Sequence, residues 1–166
     1  MKTKIRFLLP FPLLLCILFI NTSFSPAPTY RGEYLPIFMK RSELEKSVSY
    51  SSQSRDLIQP GKIYYKAPYI YINEKYKGVH VINNTDPSNP KKEGFIVAPG
   101  CIDMAVKGNI LYLDNAVDLV AFDLNSKKVT ERIKNVFPEP IPPKGSYYWS
   151  NHNRDEMVIV SWKKSN

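Results

Sequence analysis

Hydrophobic positions fall into two regimes along this chain. Phe7 to Ile20 is a single apolar run, interrupted only by Pro10 and Pro12, behind the positive residues Lys2, Lys4 and Arg6. From Gly61 onward the apolar residues come in short runs rich in Tyr, Ile and Val, punctuated by Gly, Pro, Asn and Asp. Runs of that kind predict strands and turns. The strands fall near 62–66, 69–73, 78–83, 93–97, 102–107, 110–114, 118–123, 128–133, 145–150 and 157–163. Gly108–Asn109 fits a two-residue hairpin loop, because both residue types tolerate positive φ. Asp86-Pro87-Ser88-Asn89-Pro90 marks a tight turn.

The segment between the two regimes is less regular. Residues 26–40 are rich in Pro, Tyr and Arg without a clear period and read as an extended arm. Ser42 and Glu45 stand at capping-box spacing, which predicts a short helix over 43–48 with Leu44 and Val48 on one face. Such a helix is too short to stand alone. The chain thus divides into a leader over 1–25, an arm with a short helix over 26–60, and a β domain over 61–166.

Two stretches of the β domain align with each other. Tyr69-Ile70-Tyr71-Ile72 followed by Gly78-Val79-His80-Val81-Ile82 matches Ile110-Leu111-Tyr112-Leu113 followed by Asp118-Leu119-Val120-Ala121-Phe122. The offset is 41 positions from Ile72 to Leu113 and 40 from Val81 to Ala121, a period in the range of propeller blades. A weaker third copy begins at Tyr147 and includes Met157 to Val160. Neighbours on a strand point to opposite faces, so consecutive apolar residues such as Leu119 to Phe122 predict strands covered on both sides. The expected fold is all-β, with two to three propeller-like blades and a short N-terminal helix; the alternative is a β-sandwich. A closed propeller needs at least about four blades, so the last strand should present an open edge through which the chain self-associates.

The first regime is a secretion signal. It has a basic start, an apolar stretch too short to cross a bilayer as a helix, and a small polar region from Asn21 to Ser25. Cys16 is the residue a lipid anchor would use, but Leu15 before it and Ile17 to Ile20 after it disfavour lipidation. Without the leader one thiol remains, Cys101, so no internal disulfide is expected; flanked by Gly100 and Ile102, it reads as a small buried hydrophobe. Of the formal charge of +8, three charges belong to Lys2, Lys4 and Arg6. The remaining basic residues are scattered, as in Lys91–Lys92 and Lys163–Lys164, which excludes the gathered basic face of a nucleic-acid binder.

Several of these runs together carry a family resemblance. Gly78-Val79-His80-Val81-Ile82, Asp86 to Pro90, Gly100 to Asn109, Leu111-Tyr112 and Asp118-Leu119-Val120 resemble the LVIVD-repeat proteins, most strongly across 61–124. The resemblance implies a propeller, an exported protein of the bacterial envelope and a short member of its family. It implies no catalytic residues.

Candidate chemistry is sparse. Asp103, Asp114, Asp118 and Asp123 cluster in the second repeat, where carboxylates serve as turn caps, as Ca²⁺ ligands or as a glycosidase pair; turn capping is expected. His80 lies in mid-strand, and His152 in a polar loop. Asp103, Asp114, Asp118 and His80 are the candidate ligand-binding residues. No catalytic residue, metal site or cofactor is expected. Tyr69, Tyr71, Tyr147, Tyr148 and Trp149 suit either core packing or stacking on sugar rings. The expected function is a non-enzymatic binding or scaffold module in the periplasm or at the cell surface, including the outer membrane, with a protein or glycan of the envelope as partner and no nucleic acid. The alternatives are a carbohydrate-active enzyme using the aspartates and a truncated product without activity of its own.

Overall fold

The computed structural model describes residues 29–31, 33–143, 147–149 and 152–165. The leader over 1–25 and Cys16 lie outside them. In chain order the elements are β1 (Thr29–Arg31), β2 (Tyr34–Lys40), α1 (Arg41–Leu44), β3 (Ser49–Ser51), β4 (Pro60–Lys66), β5 (Tyr69–Glu74), β6 (Gly78–Asn83) and β7 (Lys91–Val97). Then come β8 (Met104–Lys107), β9 (Ile110–Asn115), β10 (Asp118–Asp123), β11 (Lys128–Ile133), β12 (Tyr147–Trp149) and β13 (Met157–Lys164). The fold is all-β and antiparallel, and each strand expected from the sequence overlaps one that forms.

Two meanders dominate. The first sheet runs β3-β7-β6-β5-β4, and the second β11-β10-β9-β8. Both follow from short connections between strands that alternate in register. Lys107 pairs with Ile110 across Gly108–Asn109, with Gly108 at φ +58°. The repeat offset changes by one between its halves because one turn is longer. Glu74 pairs with Gly78 across three residues, whereas Asn115 pairs with Asp118 across two.

The sheets pack face to face, β4 beside β8 and β3 beside β11. Tyr71, Val79, Val81 and Ile96 from the first sheet meet Met104, Val106, Leu111, Leu113, Val120 and Phe122 from the second in one core. Cys101 lies within this core, fully buried. Gly100 turns the chain between the sheets at φ +82°, and a Cβ there would stand 2.7 Å from Ala116, so glycine is required on both conformational and steric grounds.

The described residues of the expected arm, 29–31 and 33–60, do not stand apart from the β domain. β3 extends the first sheet along β7. β2 pairs with β13 along its length, from Tyr34 with Lys164 to Lys40 with Met157. β2 covers one edge of the last strand, and the expectation that its apolar residues stand uncovered is corrected accordingly. Its Val158, Ile159, Val160 and Trp162 are buried, and Leu44, Ala116 and Val117 pack against the resulting ribbon. Pro36 concealed β2 in the sequence, since proline is tolerated only where a strand needs no further donor; a two-stranded ribbon supplies that setting.

The helix also differs from expectation. It begins at Arg41, with Lys40 as its N-cap and no side-chain capping bond. The Ser42–Glu45 capping box does not form. The Arg41 N–H instead donates to the Glu156 carbonyl, 2.8 Å away, so the ribbon fixes where the helix starts. Glu45 pairs with Arg41 and Lys134.

Phe122 is fully buried between the sheets, whereas Ile141 is 79% exposed. Phe122→Ala should cost about 3–5 kcal/mol of unfolding free energy, and Ile141→Ala less than about 0.5 kcal/mol, both read from urea denaturation midpoints.

Candidate functional site

Strand alternation sorts the polar residues to three places. The first is buried at the end of the second sheet. Asp118, fully buried, accepts from Arg132 Nη1 at 2.7 Å and from the Asn135 N–H at 3.0 Å. Arg41 Nη2 stands 2.9 Å from the same carboxylate as an ion pair. Beside it Asn115 donates to the Pro99 carbonyl at 2.6 Å.

The second place is the outer corner of the first sheet. His80 and Glu74, adjacent on this face, meet at 3.1 Å with both side chains buried. The Glu74 carboxylate also accepts from the N–H groups of Gln59 at 2.7 Å and Ile58 at 3.1 Å. The His80 ring packs edge-on against Phe95, and the Arg55 guanidinium covers Phe95 from outside at 4.3 Å. Residues 55–59 are thereby fastened over the sheet.

The third place is a groove of about 430 Å³ on the outer face of the second sheet, lined by Ala105, Tyr112 and Leu119 and by the segment 137–141. Asp103 and Asp114 sit at its edge. Asp114 Oδ1 accepts from the N–H groups of Ile102 at 2.8 Å and Asp103 at 2.9 Å. Asp103 accepts from the Met104 N–H and from Lys62 Nζ, both at 2.6 Å. Asp123 accepts from Asn125 and Ser126 N–H groups in the following turn. Burial pushes the Asp114 carboxyl up, and the backbone N–H groups offset this only in part. Lys62 holds the Asp103 carboxyl low. Burial, with the neighbouring Asp114 charge, also pushes the Cys101 thiol well up, which leaves it a poor nucleophile.

Of the four residues singled out from sequence, the fold thus brings Asp103 and Asp114 together and places Asp118 and His80 elsewhere. Asp118 and His80 are buried and paired, and present almost no surface to a ligand. Among the described residues no group of three or more His, Cys, Asp or Glu is arranged to hold a metal ion.

A further concavity was not evident from the sequence. A cleft of about 460 Å³ opens along the seam between the two sheets. Tyr50, Tyr69 and Tyr71 line it with Val81, Ile96 and Phe122, and Lys66, Glu93, Asn109, Asn125 and Lys127 add polar groups. Three connections converge there: the β4–β5 turn with Pro68, the β8–β9 turn with Asn109, and the β10–β11 turn with Asn125 and Lys127. Lys127 Nζ rests 4.0 Å over the Tyr50 ring, a cation–π contact. The Tyr71 hydroxyl, pushed up to about 12 by burial, stays protonated at neutral pH. Lone asparagines in separate turns carry no sequence signal of their meeting; only Tyr69 and Tyr71, two apart on one strand, were visible as a potential stacking pair.

Comparison with protein-family models, with curated proteins and with solved structures returns no match to this chain. Among the described residues no helix is long and apolar enough to cross a membrane.

The Glu74–His80 pair makes a testable demand on pH. Burial alone pushes Glu74 up, but the Gln59 and Ile58 N–H groups and the His80 ring outweigh it, and the carboxyl sits below its ordinary value of 4.5. The unfolded chain therefore takes up this proton at higher pH than the folded one. The stabilisation is complete above about pH 4.5 and is lost as pH falls through the lowered folded value. Urea denaturation at stepped pH should show a loss on this acid limb that is smaller in Glu74→Gln. Identical acid limbs in both proteins would contradict the assignment.

Proposed function

We propose that this chain is a non-enzymatic binding module of the bacterial envelope, exported by its N-terminal leader, and that its two meanders are successive propeller-like blades. The seam cleft carries the proposal. Ligand sites are concave and place a few polar groups where they converge on the ligand, and this predominantly polar cleft joins three tyrosines to two lysines, a glutamate and two asparagines. Aromatic rings beside amide and charged groups suit a glycan, whose rings offer apolar C–H faces and a rim of hydroxyls. Loops carry recognition more often than strands do, and three turns meet at this cleft. Read as LVIVD-like repeats, residues 61–124 would belong to an exported envelope protein built of such blades.

The blade assignment draws on the register. Tyr71, Val79 and Val81 face the core in the first sheet, whereas their repeat equivalents Tyr112, Leu119 and Ala121 lie outside it in the second. Repeats that stack in one direction alternate their faces in this way. Two sheets related by a two-fold axis, as in a symmetric sandwich, would bring equivalent faces together.

Titration calorimetry with a panel of neutral and acidic oligosaccharides, and with detergent-extracted envelope proteins, tests the function. A member of the panel should bind without being consumed, and Tyr69→Ala and Lys127→Ala should each weaken it about tenfold, the equivalent of about 1.4 kcal/mol. Binding unaffected by both substitutions would remove the cleft from the account. Hydrolysis of a bound glycan that disappears in Asp103→Asn would assign the carbohydrate-active enzyme instead.

A further inference from the structure

The register that distinguishes the two sheets has a consequence for their outer faces. Within the molecule, one face of the first sheet packs against a face of the second that is not its repeat equivalent. The face contributed by the second sheet carries Leu111, Leu113, Val120 and Phe122. Its equivalents in the first sheet are Ile70, Ile72, His80 and Ile82, on the outer face. The face contributed by the first sheet carries Tyr71, Val79 and Val81. Its equivalents in the second sheet, Tyr112, Leu119 and Ala121, are on that sheet's outer face. The two outer faces therefore repeat the two halves of the internal interface.

Both remain open in part. On the first sheet Ile63 pairs with Ile72, and Tyr65 with Ile70, so all four share the outer face. Ile63 is 63% and Tyr65 62% exposed. The segment 55–59 covers the Glu74–His80–Phe95 corner, and Ile58 beside it is itself 67% exposed. On the second sheet Tyr112 and Leu119 line the groove beneath the segment 137–141, with Ala105 exposed beside them. Contiguous apolar surface of this kind marks an interaction site.

We propose that the occupant of each outer face is a second copy of this chain, joined head to tail: the outer face of the first sheet in one copy seats on the groove face of the second sheet in the next. The internal interface supplies the precedent for the fit, since the half-buried Ile70, Ile72 and Ile82 on one face and Tyr112 and Leu119 on the other are repeat equivalents of residues that meet within the molecule; His80 and Ala121 are already buried within each copy. Such a contact is heterologous, so every assembly keeps one free face of each kind, at opposite ends, and association runs past the dimer.

Sedimentation velocity on purified protein over a wide concentration range tests this, with two variants at exposed positions. Tyr65→Lys spoils the face of the first sheet, and Ala105→Lys that of the second. Wild-type protein should grow beyond a dimer as concentration rises, and each variant alone should remain a monomer. The two variants mixed should form a one-to-one dimer and stop, because only one matching pair of faces survives. Circular dichroism melts confirm that the variants are folded, and Ile63→Lys with Ile141→Lys provides a second pair. A wild-type chain that stays monomeric, a single variant that still associates, or a mixture of folded variants that fails to pair would each overturn the proposal.

Discussion

The carboxylate of Asp118 ties together parts of the chain that are far apart in sequence. It is fully buried and meets one arginine from the N-terminal helix and another from β11, together with the backbone N–H of Asn135. A buried charge is costly unless paired, and removing one partner leaves the others uncompensated. Asp118 also opens β10 just after the tight turn against which the β2–β13 ribbon packs through Ala116 and Val117. The apolar contacts hold the ribbon against the sheet. The charge fixes its position, because Arg41 reaches Asp118 only if the helix begins where Glu156 sets it.

This constraint has consequences at both ends of the second sheet. At the buried end it anchors the ribbon and with it the buried residues of β13. At the opposite end, the β8–β9 and β10–β11 turns project beside the β4–β5 turn and form the seam cleft. A cleft between two sheets keeps its shape only if the sheets keep their relative position. The shared core from Tyr71 to Phe122 supplies that rigidity, and the network around Asp118 closes the molecule behind it.

Much of this arrangement was legible in the sequence. Dense Tyr, Ile and Val runs with Gly and Asn punctuation marked the meander strands, and the internal offset of 40–41 residues marked the pair of sheets. Turn capping by aspartate was legible for Asp103 and Asp123, which accept from backbone N–H groups one to three residues on, but not for Asp114, whose N–H donors Ile102 and Asp103 lie on the loop before β8. Asp118 was not, since Arg132 meets it from the neighbouring strand 14 residues on and Arg41 from the N-terminal helix far back in the chain, and no local pattern announces such a meeting. β2 was hidden because Pro36 and an irregular pattern mask a strand whose partner is at the other end of the chain. The capping box failed for the same reason: Ser42 and Glu45 satisfy a local rule, but the long-range bond from Arg41 to Glu156 decides where the helix starts. The seam cleft was invisible because it is built from three turns whose proximity is a property of the packed sheets.

The central claim is that Asp118 couples the ribbon to the second sheet as one cooperative unit. Hydrogen exchange of the backbone amides of β13, followed by mass spectrometry in the wild-type protein and in Asp118→Asn, tests it most directly. In the wild type the β13 amides should exchange together with those of β9 and β10, at the rate of global unfolding. In Asp118→Asn they should exchange ahead of β9 and β10, with the inner core still protected. Protection of β13 unchanged by the substitution would contradict the account.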